Sequence, residues 1–300
     1  MKFYKVRNWI SKLYFSYHCK NILSTPPLKP KGDRLLIVSM VCHLDVIMYL
    51  IAIKSLYFYL KKGQIIIIND GTLTSKDISL LKHHVSPIQI INTEDIDTGK
   101  CPHGGCWERL VFIADCIKEN YVIQLDSDTV TFNSIPEVID CVGKNISFIL
   151  GTMNSQKIES IENVYKKMAM VNGNHVQTVA EKNFDKLSNY SKFKYVRGCA
   201  AFAGFARNSF SRLDIENFSQ QMQKNIGTKW LEWGSEQVTS NFIIANSSPS
   251  IVLPYPKYAG FRPWRSFENS SFLHFVGTYR FKKGIYMKLA KEIIKKLREG

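Results

Sequence analysis

Residues 121–130 read Tyr-Val-Ile-Gln-Leu-Asp-Ser-Asp-Thr-Val, an apolar run that ends in two carboxylates, Asp126 and Asp128. The run is rich in aromatic and β-branched residues, which predicts a buried strand over residues 121–125. Paired carboxylates suit a hard divalent ion that also contacts a diphosphate. In an isolated Asp-x-Asp, however, one aspartate often caps the turn while the other is solvated. The rest of the sequence has to decide between these two interpretations.

Segments with strand and helix patterns alternate through the first half of the chain. The predicted strands cover residues 34–41, 64–68, 87–92 and 121–125, and the predicted helices cover 45–60, 75–84 and 107–118. This alternation predicts an α/β fold, a Rossmann-like and mainly parallel sheet with helices on both faces. Ligands of such sheets bind beyond the carboxyl ends of the strands. The second half is less regular, and short strands are expected over 147–150, 200–205 and 250–253.

Length and composition indicate a folded protein. The 300 residues are 45% hydrophobic and 22% charged, which excludes wholesale disorder and fibrous repeats. The apolar segment 46–60 is shorter than the ~20 residues that a bilayer demands and contains Lys54, so we predict no transmembrane helix. The N-terminus lacks the apolar run of a secretory signal, and the seven cysteines are an odd number. The chain is therefore expected in the reducing cytosol.

Positive charge is concentrated at the two ends. Residues 1–32 hold seven Lys/Arg and no acid, and together with residues 280–300 they supply 13 of the 15 net positive charges. We predict a basic amphipathic segment and linker over 1–32, a main domain over 33–280 and a basic helix over 281–300. No recognisable nucleic-acid module accompanies the charge, so no nucleic acid is expected as a partner.

Both ends also carry an apolar stripe at helical spacing. The stripes consist of Phe3, Val6, Ile10, Leu13 and Tyr17 at one end and of Tyr286, Leu289, Ile293 and Leu297 at the other. Such helices can lie in the interface of an anionic membrane, here through residues 1–24 and 280–300. They can equally pack on the domain and leave their basic faces in water. If the membrane interpretation holds, the protein is peripheral on the inner face of the membrane.

Residues near the C-terminus add chemistry that suits a diphosphate. Residues 272–280 hold His274, Gly277 and Arg280 at intervals of three, and Lys283 follows. A neutral imidazole can bind a metal, a glycine lets the backbone approach a phosphate, and a guanidinium can donate two hydrogen bonds to its oxygens. A lone histidine is more often a packed or half-buried side chain than a metal ligand. The pattern therefore indicates a metal site only together with the paired aspartates.

Three further segments hold candidate polar residues. Arg109 stands near the start of the helix before the 121–125 strand, and Glu236, Gln237 and Asn241 precede a late apolar run. Asp70 ends the strand over 64–68 in the sequence Asn-Asp-Gly. It could contact a nucleoside at the ligand edge of the sheet, or it could simply form a tight turn.

The spacing of these residues resembles glycosyltransferase family 8, a group of sugar-nucleotide-dependent enzymes with the GT-A fold. In that family an arginine lies a fixed distance before an Asp-x-Asp, and Arg109 stands seventeen residues before Asp126. The family's His-x-x-Gly-x-x-Lys element is matched by His274, Gly277 and Arg280, with Arg in place of Lys. The guanidinium keeps the positive charge but has a planar geometry.

A further family element, Asp-Gln followed by Asn, is similar to Glu236, Gln237 and Asn241, with Glu in place of Asp. The resemblance implies transfer of a sugar from a nucleotide-diphosphate sugar, with UDP as the nucleotide, to a glycan or lipid-linked acceptor. It also implies retention of anomeric configuration and a role in bacterial surface polysaccharide or lipooligosaccharide synthesis.

The residues themselves suggest how such a reaction would run. A Mn²⁺ or Mg²⁺ ion held by Asp126, Asp128 and His274 would neutralise a leaving diphosphate, with help from Arg280 and Lys283.

Around the sugar, Arg109 could hold a carboxylate or a donor-sugar hydroxyl, and Glu236 or Gln237 could lie near the ring. Gln237 could steady an oxocarbenium-like sugar in a retaining reaction, whereas Glu236 could be the general base of an inverting one.

Two other functional classes share some of these features. A nucleotidyltransferase also uses paired carboxylates and a metal, but it needs a Gly-rich basic loop after the first strand. Residues 38–45 contain no Gly, Lys or Arg. A non-catalytic glycan- or membrane-binding module on a decayed enzyme fold is the other alternative, and the intact acidic and histidine residues argue against it.

Overall fold

The structure is a computed structural model that describes residues 2–299, with side chains from residue 6 onward, so Phe3 of the predicted N-terminal stripe lies outside the described side chains. The strands are β1 (Leu35–Val41), β2 (Gln64–Asn69), β3 (Gln89–Asn92), β4 (Tyr121–Leu125), β5 (Thr129–Thr131), β6 (Ser147–Leu150), β7 (Glu159–Ser160), β8 (Lys194–Tyr195), β9 (Cys199–Phe205), β10 (Ser250–Val252), β11 (Tyr258–Gly260) and β12 (Phe272–His274). The α-helices are α1 (Lys2–Cys19), α2 (Val46–Leu60), α3 (Ser75–His84), α4 (Trp107–Cys116), α5 (Pro136–Lys144), α6 (Ile161–Ala169), α7 (Val176–Lys182), α8 (Arg212–Ile226), α9 (Ser235–Asn246) and α10 (Ile285–Glu299).

Seven strands form one sheet in the order β10-β6-β9-β4-β1-β2-β3. Strands β1, β2 and β3 pair in parallel, as do β10 and β6, whereas β9 runs antiparallel to β6. The predicted α/β fold with a mainly parallel sheet is confirmed, and every element predicted in the first half is present, with ends that lie within two residues of the predicted ones. In the second half the predicted short strands are present as β6, β9 and β10, and the helices α6 to α9 between them were not predicted.

Helix α2 shows how composition decides placement. It is apolar on nearly all sides, so it is buried in the core rather than on a surface. Even Lys54 has no exposed surface, and its ammonium donates to Thr25 Oγ1 and to the Pro26 carbonyl, both at 2.8 Å. By length and composition alone, His43–Leu60 could cross a membrane, but 67% of that stretch is buried inside the structure, as is typical of a core helix.

The chain forms two compact units. The first consists of Met1–Thr93, Gln124–Ile139 and Pro256–Gly300, and the second of Glu94–Ile123 and Asp140–Tyr255. The first unit contains β1, β2, β3 and the small sheet β11-β12-β5. Both terminal helices belong to this unit. The predicted boundaries of the main domain, at residues 32 and 280, remain predictions.

The apolar stripes of the two terminal helices differ in their burial. In α10, Tyr286, Leu289 and Ile293 are buried and Leu297 is half-buried, so this stripe packs into the core and leaves the basic face of the helix in water. Among the side chains of α1 that the structure describes, the buried ones are Phe15 and Cys19, which lie outside the predicted stripe. Of the two interpretations left open by the sequence, packing on the domain therefore describes the stripe of α10 and not that of α1.

Candidate active site

Pairing between two distant strands assembles the first group of candidate residues. Strand β4 ends at Leu125, and Thr129 Oγ1 donates to the Asp126 carbonyl at 2.9 Å, which closes the turn that contains both aspartates. Strand β5 then pairs antiparallel with β12, so that Thr129 lies opposite His274. The Phe275 N–H also donates to the Asp128 carbonyl at 2.8 Å. The backbone thus brings His274 to the aspartates across about 150 residues of sequence.

Asp126, Asp128 and His274 form a cluster whose ligand atoms all lie within 4.8 Å of one another. His274 Nε2 is 3.3 Å from Asp128 Oδ1, and both side chains are buried, whereas Asp126 is half-buried. Two carboxylates and an imidazole form a donor set that suits Mn²⁺ or Mg²⁺. The three residues predicted as metal ligands therefore come together with chemistry that fits such an ion.

Arg280 reaches the same carboxylate. Its Nη2 lies 2.5 Å from Asp128 Oδ2, and its Nε donates to the Phe275 carbonyl at 3.1 Å. Burial alone would raise the pKa of the Asp128 carboxyl, but its electrostatic interactions with His274 and Arg280 outweigh burial and hold that pKa well below its usual range. Asp128 is therefore ionised, and Arg280 and a metal ion would share it.

The other residues predicted to contact the nucleotide lie on loops of the first unit. Gly277 is exposed at a φ of +47°, and a Cβ there would meet nothing within 4 Å. Lys283 is exposed and can reach outward as a flexible charge. The Asp70 carboxylate accepts hydrogen bonds from both the backbone N–H and the hydroxyl of Thr72, so it shapes its own turn.

A second group of predicted residues meets inside the second unit. Arg109 Nη2 lies 3.7 Å from Glu236 Oε1, and each residue is only 4% exposed. Their helices are fastened at the start, because Trp107 Nε1 donates to Ser235 Oγ at 2.9 Å. Helix α9 can begin there because Gly234 adopts a left-handed φ of 104°. The carboxylate that Arg109 holds in this structure is that of Glu236.

Gln237 leads into a polar network that the sequence analysis missed. Its Oε1 accepts from the Ala200 N–H and its Nε2 donates to Gln177 Oε1, both at 3.3 Å. Gln177 in turn donates to Glu181 at 3.0 Å, and Glu181 is paired with Arg197. Burial raises the pKa of Glu181 to about 7, although Arg197 opposes that change. The residues of the network are separated by up to 60 positions, so no local motif marks them.

Asn241, the last residue of the predicted Glu-Gln-Asn element, attaches its helix to a neighbouring segment. Its Nδ2 donates to the Gly198 carbonyl at 3.2 Å and to the Tyr195 hydroxyl at 3.3 Å. These bonds fasten α9 to the chain just before β9. The element thus contributes one residue to the ion pair, one to the polar network and one to the attachment of its own helix.

A further contact near the aspartates also escaped the sequence analysis. Lys12 of α1 forms an ion pair with Asp45, which follows β1. The other oxygen of Asp45 accepts a hydrogen bond from Ser127 Oγ at 3.4 Å. Ser127 stands between Asp126 and Asp128, so α1 is connected through Asp45 to the turn that carries the candidate metal ligands.

Comparison with known proteins identifies the fold. No protein-family model and no curated protein matches the sequence. Among solved structures, the chain is similar to WbbM, a bifunctional glycosyltransferase, with a TM-score of 0.55 and 14% identity over 91% of this chain. It covers 53% of the WbbM chain, so it spans about half the length of that protein.

The chain is also similar to two structures of LgtC. An active-site mutant of LgtC gives a TM-score of 0.51 at 12% identity, and the galactosyltransferase LgtC in complex with donor and acceptor sugar analogs gives 0.50 at 13%. Each comparison covers 86% of this chain and 95% of LgtC. The chain therefore has the predicted GT-A fold, and its structural neighbours include the family 8-like proteins that its motifs resemble.

Proposed function

We propose that this protein is a metal-dependent glycosyltransferase that moves a sugar from a nucleotide-diphosphate sugar to a glycan or lipid-linked acceptor. The observation that carries the proposal is the cluster of Asp126, Asp128 and His274 at the end of β4, in a fold that the chain shares with glycosyltransferases. The LgtC complex with donor and acceptor sugar analogs supports ligands of the same kinds here. UDP as the nucleotide follows from the resemblance of the sequence motifs.

The metal would be Mn²⁺ or Mg²⁺, held by the two carboxylates and the imidazole. When bound, such an ion offsets the negative charge that develops on a leaving diphosphate. Asp126 and Asp128 supply hard oxygen ligands, and the burial of Asp128 and His274 keeps their side chains in place. The ionised state of Asp128 leaves it ready to bind a cation without first losing a proton.

Arg280 would change partner when the donor binds. In this structure its guanidinium is held by Asp128. With a cation on Asp128 the guanidinium can turn toward phosphate oxygens, where its planar fork can donate two hydrogen bonds. The exposed Lys283 and the open backbone at Gly277 would add a second charge and room for close approach.

Around the donor sugar, we favour a retaining reaction. Glu236 is engaged by Arg109 in a buried ion pair, which limits its freedom to act as a general base. The Gln237 amide is half-buried and neutral, and it suits the role of a polar group beside an oxocarbenium-like sugar. In such a reaction the leaving phosphate accepts the proton of the acceptor hydroxyl on the same face.

We further propose that the reaction takes place in the cytosol, at the inner face of a membrane, and contributes to a bacterial surface polysaccharide or lipooligosaccharide. Support for this setting comes from the family resemblance and from the basic ends, which supply 13 of the 15 net positive charges.

Thermal-shift measurements with nucleotide sugars, in the presence and absence of Mn²⁺, test the donor class. A ligand at a hundred times its dissociation constant adds about 2.7 kcal/mol to the free energy of unfolding, which is readily measured. We expect stabilisation by a UDP-sugar that requires the metal. Stabilisation that is the same without Mn²⁺, or by no nucleotide sugar, would count against the proposal.

The stereochemistry has its own test. We expect that an α-linked nucleotide sugar gives an α-linked product, which NMR of the anomeric proton reports directly. A β-linked product would contradict retention and would assign Glu236 as the general base.

A further inference from the structure

The N-terminal helix α1 carries an apolar face that points away from its packed face. Phe15 is 1% exposed and stacks on Tyr286 of α10 with ring centroids 4.2 Å apart, and Cys19 is fully buried beside it. The opposite face holds large apolar side chains that stay 43–66% exposed. We call this set the outer face of α1; it consists of Val6, Trp9, Ile10, Leu13, Tyr14 and Tyr17.

Such an arrangement is the reverse of the usual one. An amphipathic helix of a globular protein normally turns its apolar stripe to the core. Single exposed apolar residues are common, but a continuous patch on one helix is typical of an interaction surface. The outer face of α1 therefore lacks a partner within the part of the chain that the structure describes.

The charges around the outer face indicate the chemistry of the partner. Residues 1–32 hold seven Lys/Arg and no acid, and Arg7 and Lys20 are exposed on or next to α1. Lys20 Nζ lies 4.8 Å above the ring of Tyr17. Tryptophan and tyrosine side chains favour the region of lipid headgroups, and each nearby basic residue adds about 1 kcal/mol of attraction to an anionic membrane.

A basic cavity of about 500 Å³ lies where the end of α1 meets α10. It is lined by His18, Asn21, Lys291, Ile294, Lys295, Arg298 and Glu299. Three permanent positive charges against one negative charge suit the phosphate of a lipid headgroup. The basic face of α10 thus forms a second basic feature next to the end of α1.

The helix is also attached to the candidate metal site. On its inner side, Lys12 is paired with Asp45, and Asp45 accepts a hydrogen bond from Ser127 between the two aspartates. The same side of α1 and the loop that begins at Gly277 line a cavity of about 210 Å³. A membrane bound to the outer face would therefore hold these loops at a fixed depth.

We propose that the outer face of α1 inserts into the headgroup region of an anionic membrane. A second copy of the chain is a poorer fit, because two such helices face to face would bring two strongly basic segments together. Docking does not depend on the proposed transfer reaction. If both hold, the docked orientation favours a lipid-linked acceptor over a free glycan.

Vesicle co-sedimentation of the full chain tests the docking, with no donor present. We compare phosphatidylcholine vesicles with vesicles that also contain phosphatidylglycerol. The variant Ile10→Glu/Leu13→Glu changes the outer face, and the matched control Leu213→Glu/Leu231→Glu changes residues that are 58% and 54% exposed elsewhere. Wild type and control should bind the anionic vesicles, and their binding should weaken at high salt. The outer-face variant should bind the same vesicles at least about tenfold more weakly.

Three outcomes would overturn the proposal. The first is equal binding of the wild type to both kinds of vesicle, and the second is equal binding by the outer-face variant and its control. The third is a wild-type dimer in light scattering that the outer-face variant does not form, together with no binding to vesicles. If circular dichroism shows that the outer-face variant does not fold, quenching of tryptophan fluorescence by brominated lipids is measured instead. Quenching should be stronger in wild type than in Trp9→Phe, and equal quenching in the two refutes insertion. Because no donor is used, either result leaves the transferase proposal to its own tests.

Discussion

Removal of Arg109 should destabilise the second unit more than an ordinary substitution would. Arg109 and Glu236 are each 4% exposed and their charged atoms lie 3.7 Å apart. At an effective dielectric constant of ~20, that distance corresponds to an attraction of about 4.5 kcal/mol. Loss of one member of a buried pair typically costs about 3–5 kcal/mol, because the other charge loses its ion-pair partner in a dry site. We expect Arg109→Met to lower the free energy of unfolding by about that amount.

A double-mutant cycle separates this effect from lost packing. Glu236→Gln keeps a hydrogen-bond acceptor for Ser240 but removes the negative charge. We expect each single variant to be costly and the double variant to cost clearly less than their sum, with a coupling of at least ~2 kcal/mol. Tryptophan fluorescence in urea is a suitable probe, because Trp107 and Trp230 are buried in the same unit with ring centroids 6.0 Å apart. Strictly additive single effects, or a harmless Arg109→Met, would refute the reasoning.

Three smaller perturbations give further expectations. Burial lowers the pKa of Lys54 from 10.5 to about 8, so the folded chain releases this proton before the unfolded chain does. The difference in the free energy of unfolding between the wild type and Lys54→Met should therefore change in favour of the wild type by on the order of 2–3 kcal/mol as the pH rises from about 8 to 10.5, which urea titrations of both chains measure. Thr74→Ala removes half of a capping box at the start of α3 and should cost about 1 kcal/mol in the same assay. Gly277→Ala meets no clash but is strained at a φ of +47°, so calorimetry should show a melting shift equivalent to about 1–2 kcal/mol, whereas an unchanged melting curve would contradict the strain.

The sequence predicted those parts of the fold that local patterns encode. An apolar run followed by two aspartates predicted β4 and its turn with the right boundaries, because burial of a strand and polarity of its end are local properties. The position of His274 beside Asp128 depends on the antiparallel pairing of β5 with β12. That pairing joins residues far apart in sequence, and no local pattern predicted it. The sequence connected His274 with the aspartates only through their ligand chemistry and the family resemblance.

The sequence could not decide which side of a terminal helix is buried. The stripes of α1 and α10 have the same helical spacing, yet Ile293 is 1% exposed and Ile10 is 54% exposed. Periodicity shows only that a helix has an apolar side. Whether the core or another partner covers that side depends on tertiary packing, here the stacking of Phe15 on Tyr286.

The hydrogen-bond partners in the polar network around Gln237 could not be predicted from the sequence either. Gln177, Glu181 and Arg197 follow no motif, and they meet Gln237 only because α7, α9 and the segment before β9 lie together in the second unit. The ion pair of Arg109 with Glu236 has the same origin. The sequence identified both residues as candidates, but it could not show that each one holds the other.

Binding of Mn²⁺ to the full chain in the presence of UDP, followed by electron paramagnetic resonance, tests the central claim most directly. If Asp126, Asp128 and His274 hold the ion, the wild type should bind Mn²⁺, and Asp128→Asn and His274→Ala should lose that binding while their far-ultraviolet spectra stay unchanged. Asp185→Asn, a change to an exposed aspartate in the second unit, is the control and should bind as the wild type does. Unchanged Mn²⁺ binding by the Asp128 and His274 variants would contradict the account.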